Sequence, residues 1–253
     1  MRGKAFRDFL QAEYAHPFSG WDFSYLDGRR TEESSPWLYT ELARSLLPSA
    51  TSLLDLGTGG GERLLAFRDA LPAHTVATEG YPPNLTLARQ RLNPLGIEVF
   101  DSSGSLDEKL PFIDASFDLV LDRHTAYNTA EVARVLRPDG MFLTQQVDGR
   151  QTDLQAAFDS PAQWPFFTLD FMLQQIRDVP LTVEQAEEWT EEVTFSDVGA
   201  VVYYLKAVPW VVADFTIEQY LPQLERLQEE VEREGRLVFH QTFLLLKARK
   251  QKE

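Results

Sequence analysis

The stretch LLDLGTGGGE, Leu53 to Glu62, constrains the fold more than any other part of the chain. A short apolar run ending in glycines marks a buried strand followed by a tight turn, the join that opens helices in parallel α/β sheets. The same segment carries one acid, Asp55, two residues before Gly57, and another, Glu62, directly after Gly61. Any glycine-rich turn can receive a nucleotide, so the charge around the turn decides which kind.

The middle of the chain repeats strand, helix, strand. TSLLDL (51–56), HTVATE (74–79), GIEVF (96–100), FDLVLD (117–122) and MFLTQQV (141–147) read as strands. Asn84 reads as the cap of a helix whose Leu85, Ala88 and Leu92 share one face before Asn93-Pro94 stops it. TAEVARVL puts Val132, Val135 and Leu136 on a second helical stripe, closed by RPDG (137–140). Beyond Val147 come a Trp/Phe-rich helical stretch, WPFFTLDFMLQQI, and a strand-like run, VGAVVYYLKAVPW. Next is a helix capped by Thr216 with Gln219 three residues on, carrying Ile217, Tyr220, Leu224, Leu227 and Val231 on one face and Pro222 near its start. RLVFHQTFLLLKA closes the chain as a final strand. The pattern predicts an α/β protein: a Rossmann-like, doubly wound, mostly parallel seven-stranded sheet with an antiparallel last strand, in three αβα layers. Residues 1–50 read as an N-terminal cap and 51–253 as the main domain, with an aromatic-rich insertion at about 150–190.

Ligands of open parallel sheets sit beyond the carboxyl ends of the strands. Those ends offer Asp55 to Gly61, Glu79, Asp101, and Asp122 to Tyr127. A dinucleotide would set its pyrophosphate on the helix start after the glycines, where Glu62 stands. Acids at that place make a cationic ligand the better match. The whole chain carries a formal charge of -15, and its only short basic run is the KARKQK end, which counts against a nucleic-acid substrate. There is no cysteine, which excludes disulfides and thiolate catalysis and points to a reducing compartment, the cytoplasm. No apolar run approaches the roughly 18 residues of a membrane span, so no membrane partner is expected. Nothing in the sequence fixes an oligomeric state.

LLDLGTGGGE resembles the glycine-rich first motif of class I S-adenosylmethionine-dependent methyltransferases. LPFIDASFDLVLDRHTAYNTAEVARVLRPDGMFL resembles the second half of the same domain in the UbiE-like, or methyltransferase-11, type, and the similarity runs from about Leu53 to Val147. The resemblance implies S-adenosylmethionine as cofactor, a molecule with an ammonium, a sulfonium, a ribose diol and an adenine but no phosphate. It implies methyl transfer to a small-molecule acceptor. An RNA methyltransferase and a non-catalytic S-adenosylmethionine-binding protein are the alternatives, and a nicotinamide oxidoreductase is opposed by the acids beside the glycines. By motif position, Gly57, Thr58, Gly59 and Gly61 would face the methionine part, with Asp55 holding the loop or receiving the ammonium through water. Glu79, followed by Gly80, would accept both ribose hydroxyls. Asp101, Ser102 or Ser103 would meet the adenine amino group, and Asp122, Arg123 and His124 would line the methionine side and the pocket mouth.

His124 is the candidate general base, because it follows the fourth strand on the ligand side and histidine titrates near neutral pH. The alternative is that it packs against the cofactor or bonds the loop. His16, Trp21, Tyr25 and Tyr127 are candidates for the substrate pocket, whereas His240 reads as a structural or surface residue and His74 lies at the strand end away from the ligand. Asp122 with Asp148 or Gln145 lacks the spacing of a Mg²⁺ site, so no metal is expected.

Overall fold

Ser52 to Leu56 are buried at every position, as a strand covered on both faces requires. The computed structural model describes residues 2–102 and 104–252. Its elements run α1 (Gly3–Ala15), β1 (Arg30–Glu32), α2 (Tyr39–Leu46), β2 (Ser52–Leu56), α3 (Glu62–Ala66), β3 (His74–Glu79), α4 (Pro82–Leu92), β4 (Glu98–Asp101), β5 (Phe117–Arg123), α5 (Thr129–Val135) and β6 (Leu136–Val147). They continue with α6 (Asp153–Ala157), α7 (Leu169–Arg177), β7 (Leu181–Phe195), α8 (Val198–Ala207), α9 (Leu221–Glu234) and β8 (Leu237–Lys250). The strands hydrogen bond in the order β1-β7-β8-β6-β5-β2-β3-β4. β2 to β6 are parallel, β8 is antiparallel to β6, and β1 is antiparallel to β7. The expected α/β sheet with an antiparallel last strand is therefore present, with eight strands among the described residues because β1 adds a short edge.

Several readings of the sequence are corrected. VGAVVYYLKAVPW is not a strand but mainly the helix α8. The Asp197 side chain accepts the Ala200 N–H at 2.9 Å and caps it. Val198 to Tyr203, Leu205 and Ala207 are all buried, so the helix has no polar face to betray its period. The missing strand is β7, LTVEQAEEWTEEVTF, whose five glutamates interrupt the apolar alternation that marks a half-buried strand. Asn84 does not cap α4: the helix begins at Pro82, a residue already shaped for a first turn, and Asn84 lies buried inside it. In WPFFTLDFMLQQI only Leu169 onwards is helical, capped by the Thr168 hydroxyl. Thr216 does accept the Gln219 N–H, but α9 starts only at Leu221, with Pro222 in its first turn.

The chain divides into two compact units, Met1–Ser35 with Asp148–Phe167 and Thr190–Thr242, and Pro36–Val147 with Thr168–Trp189 and Phe243–Glu253. In the first, Phe6, Leu10, Val198, Val201 and Leu224 share an apolar core. There Arg29 ties Glu13 to Asp197, with contacts of 3.0 Å and 2.6 Å. In the second, Leu53, Leu119, Leu121, Leu143 and Leu245 of the sheet meet Ala43 and Ala88 of the helices.

The lower ends of β2 and β5 are locked by Asp118. Its Oδ2 accepts from Thr51 N at 2.8 Å, Thr51 Oγ1 at 2.6 Å and Ser52 N at 3.1 Å, and its Oδ1 pairs with Arg137 at 3.1 Å. Partial burial raises the carboxyl, but the Thr51, Arg137 and Ser52 donors outweigh it and bring the pKa down to about 2. A folded-state value below the unfolded one adds stability above about pH 4 that disappears as pH falls toward 2. Asp118→Asn should therefore cost about 2 kcal/mol at pH 7 in urea denaturation, a gap that closes near pH 2. A gap independent of pH would contradict the clamp.

Candidate cofactor site

The turn after β2 lies in the second unit and is shaped by glycines at positive φ: Gly57 at 62°, Gly59 at 63° and Gly61 at 83°. A side chain on Gly57 would also overlap the Thr125 hydroxyl, so backbone alone fits there. Thr78 anchors the turn from the neighbouring strand, its carbonyl accepting Thr58 N at 2.8 Å and its hydroxyl Gly57 N at 3.2 Å.

Glu79 completes the anchor. Its Oε2 accepts the Gly59 N–H at 2.7 Å, and its Oε1 accepts Gly80 N at 3.0 Å and Tyr81 N at 2.8 Å. A carboxylate offers about four lone-pair sites, so one stays open, on Oε2. Burial raises the Glu79 pKa against the pull of the three N–H groups, and the net shift is upward.

Two further acids lie below the turn. Burial pushes Asp55 up to about 6, opposed by the Thr58 hydroxyl and the Arg63 charge and reinforced by Glu79. Asp122 is 0% exposed and is driven well above the ordinary range by burial and by the charge of Asp55. Its Oδ2 accepts from Thr144 Oγ1 at 2.5 Å and from Gln146 Nε2, while Oδ1 makes no hydrogen bond among the described residues. Asp122 thus sits within the sheet, out of reach of solvent. None of Asp55, Glu79 and Asp122 forms an ion pair among the described residues. Desolvation raises all three carboxyls, and the charge of a neighbouring acid adds to the rise in each.

Beside the turn, Leu56, Thr78, Ser102, Gly104, Thr125 and Tyr127 line a narrow cleft. Ser102 is buried and its N–H donates to the Glu79 carbonyl at 3.2 Å, whereas Asp101 is exposed. Ser103 lies outside the described residues. Tyr127 is buried, edge-on to Phe142 at 4.9 Å.

At the end of β5, Arg123 is half-buried and His124 turns the chain at φ 64°, a conformation that non-glycine residues seldom adopt. The imidazole stacks on Phe243, 5.5 Å between centroids. Desolvation lowers its pKa well below the usual histidine value, and the charges of Arg123 and Arg63 act in the same direction. The residue as a whole is exposed, so the two guanidiniums weigh beside desolvation in keeping the ring neutral. The other three aromatic candidates belong to the first unit. There His16 stacks on Tyr25 at 3.5 Å, and Trp21 meets Trp210 at 5.6 Å. Among the described residues no three His, Cys, Asp or Glu side chains gather as a metal site would need.

Thr78, Trp37 and Arg63 escaped the sequence reading, and Thr125 entered it only within the span Asp122 to Tyr127. Thr78 and Thr125 adjoin motif residues, and that adjacency was the available signal; Trp37 lies far from the motifs in sequence. Glu79→Gln should lower stability by about 1–3 kcal/mol without any ligand present, because an amide nitrogen cannot accept an N–H that the carboxylate holds. Equal urea midpoints for the two proteins would show that Glu79 does not anchor the turn.

Comparison with known proteins follows the same region of the chain. The family described as Methyltransferase domain (Methyltransf_11) matches residues 54–144. The chain is 31% identical over 135 residues to the fatty-acid O-methyltransferase of Mycolicibacterium smegmatis, covering 51% of this chain and 45% of that one. It is 33% identical over 116 residues to the demethylmenaquinone methyltransferase of Thermus thermophilus, covering 42% and 52%. The chain spans about half the length of these curated relatives. Among solved structures, the YcgJ protein of Bacillus subtilis superposes with a TM-score of 0.60 at 17% identity, covering 85% of this chain and 99% of that one, a likeness of fold. No helix among the described residues is long and apolar enough to cross a membrane.

Proposed function

The chain carries a class I methyltransferase domain of the methyltransferase-11, UbiE-like type, and from that premise we propose that it moves a methyl group from S-adenosylmethionine to a small-molecule acceptor. The observation that carries this reading is the unpaired acidic set at the strand ends, Asp55, Glu79 and Asp122, with raised pKa values. An ammonium and a sulfonium relieve that repulsion, whereas a pyrophosphate adds to it. The Gly59 N–H, which a phosphate would claim, already donates to Glu79.

The residues present fit the group. Gly57, Thr58, Gly59 and Gly61 bring bare backbone to the methionine part, and Asp55 attracts the ammonium from below. Glu79 keeps one acceptor site for a ribose hydroxyl, and Gly80 holds it in place from behind. Ser102, or the exposed Asp101, stands where an adenine amino group would be met, while Asp122 adds its field and Arg123 borders the mouth. Tyr127 supplies an aromatic wall to the cleft. When bound, S-adenosylmethionine supplies a methyl already activated by a positive sulfur. The protein's share is then alignment and exclusion of water. A base is required only for an acceptor that must shed a proton, and His124, neutral at pH 7, is the titratable ring we place toward the acceptor. Its role depends on which ring nitrogen carries the proton.

Relatives named for a fatty acid and for demethylmenaquinone support a small acceptor, and the charge of -15 argues against RNA. The absence of cysteine is in keeping with work in a reducing cytoplasm. Parallel calorimetric titrations with S-adenosylhomocysteine and NAD test the cofactor: binding of the first alone is expected, and binding of NAD alone would overturn the proposal. Transfer of labelled methyl into a metabolite extract, and not into tRNA or rRNA, is the matching expectation for the acceptor. Asp55 near pKa 6 adds a pH dependence, since its neutral form attracts a cation less. Affinity for S-adenosylmethionine should be about tenfold weaker at pH 5 than at pH 7.5.

A further inference from the structure

Trp37, Gln145 and His124 form a chain of contacts that ends on the histidine ring. The Trp37 indole nitrogen lies 2.9 Å from Gln145 Oε1, and both residues are buried. An indole N–H only donates, so the Gln145 atom that faces it must be the amide oxygen. The NH2 group of the same amide is thereby turned the other way, where His124 Nε2 lies at 3.3 Å. An NH2 group only donates, so Nε2 has to accept. Nε2 therefore carries its lone pair and not a proton. In a neutral imidazole the proton then sits on Nδ1.

Two further contacts hold the ring to that choice. Stacking on Phe243 at 12° between planes fixes its orientation. The His124 N–H donates to the Gln145 carbonyl at 2.9 Å, so one residue holds both the backbone and the side chain of His124. The charged groups facing the ring are Arg123 and Arg63, which oppose a second proton. No described residue bonds Nδ1.

We propose that Trp37 and Gln145 are positioning residues that lock His124 as its Nδ1–H tautomer, so that the ring presents a hydrogen-bond donor and withholds its basic nitrogen. The tautomer stands apart from the methyl-transfer reading; the use of the donor toward an acceptor rests on it. Such a ring suits an acceptor that brings no proton to lose.

The experiment is nitrogen-15 NMR of the whole protein, with labelled histidine, at pH 7.5 and without ligand. There are four histidines, and the His124 signals are those lost in His124→Asn, a residue that tolerates the left-handed backbone. The expected spectrum has Nδ1 at the shift of a protonated nitrogen and Nε2 at that of a bare one. In Gln145→Glu the new carboxylate accepts from Trp37 and from Nε2–H, so Nε2 should move to the protonated position. In Trp37→Phe the amide loses its orienting partner and the two shifts should approach each other. Unchanged signals from the other three histidines report that each variant is folded, and Trp37→Phe decides alone if Gln145→Glu is not. A bare Nδ1 or averaged shifts in the parent protein would overturn the proposal, as would an Nδ1–H ring that neither variant alters. Calorimetry with S-adenosylhomocysteine on the same samples reads the cofactor assignment separately.

Discussion

The three hydrogen bonds that Glu79 accepts from Gly59, Gly80 and Tyr81 set the form of everything at the strand ends. They join the turn after β2 to the end of β3, so the two neighbouring strands present one surface. They also place a carboxylate inside a glycine turn of the kind that elsewhere receives phosphate. A turn whose N–H group already serves an internal anion has little left for an external one. The same carboxylate keeps one acceptor position, which suits a hydroxyl donor.

That internal anion does not stand alone. Asp55 and Asp122 lie close enough for their charges to be felt, and burial deprives all three of water. The cost of ionising them is borne by the folded protein until a cation arrives, which couples ligand charge to proton release. Around His124 the sign reverses, because Arg123 and Arg63 act there. The acids favour a cation, whereas the His124 ring stays uncharged. A methyl donor bearing positive charge and an acceptor that arrives without a proton suit these two environments.

Much of this was legible in the sequence. Short apolar runs identified β2, β3, β5 and β6, because buried parallel strands leave a dense and simple pattern. The acids were legible as residues at strand ends, although not their degree of burial, which depends on neighbours such as Thr144 and Gln146 that come from another strand. α8 was misread because a helix buried on every side loses the polar face that periodicity needs. β7 was missed because its glutamates resemble a solvated surface. Trp37 could not be linked to His124 from sequence at all, since the contact passes through the side chain of Gln145 on β6.

The central claim is that buried acids with raised pKa values favour a positively charged ligand. Titrating S-adenosylmethionine into the protein by calorimetry at pH 6, in two buffers of different ionisation enthalpy, measures the protons exchanged on binding. Net release of protons is the outcome this account requires, since the cation draws Asp55 and its neighbours into their charged forms. Binding with no exchange, or with uptake, would contradict it.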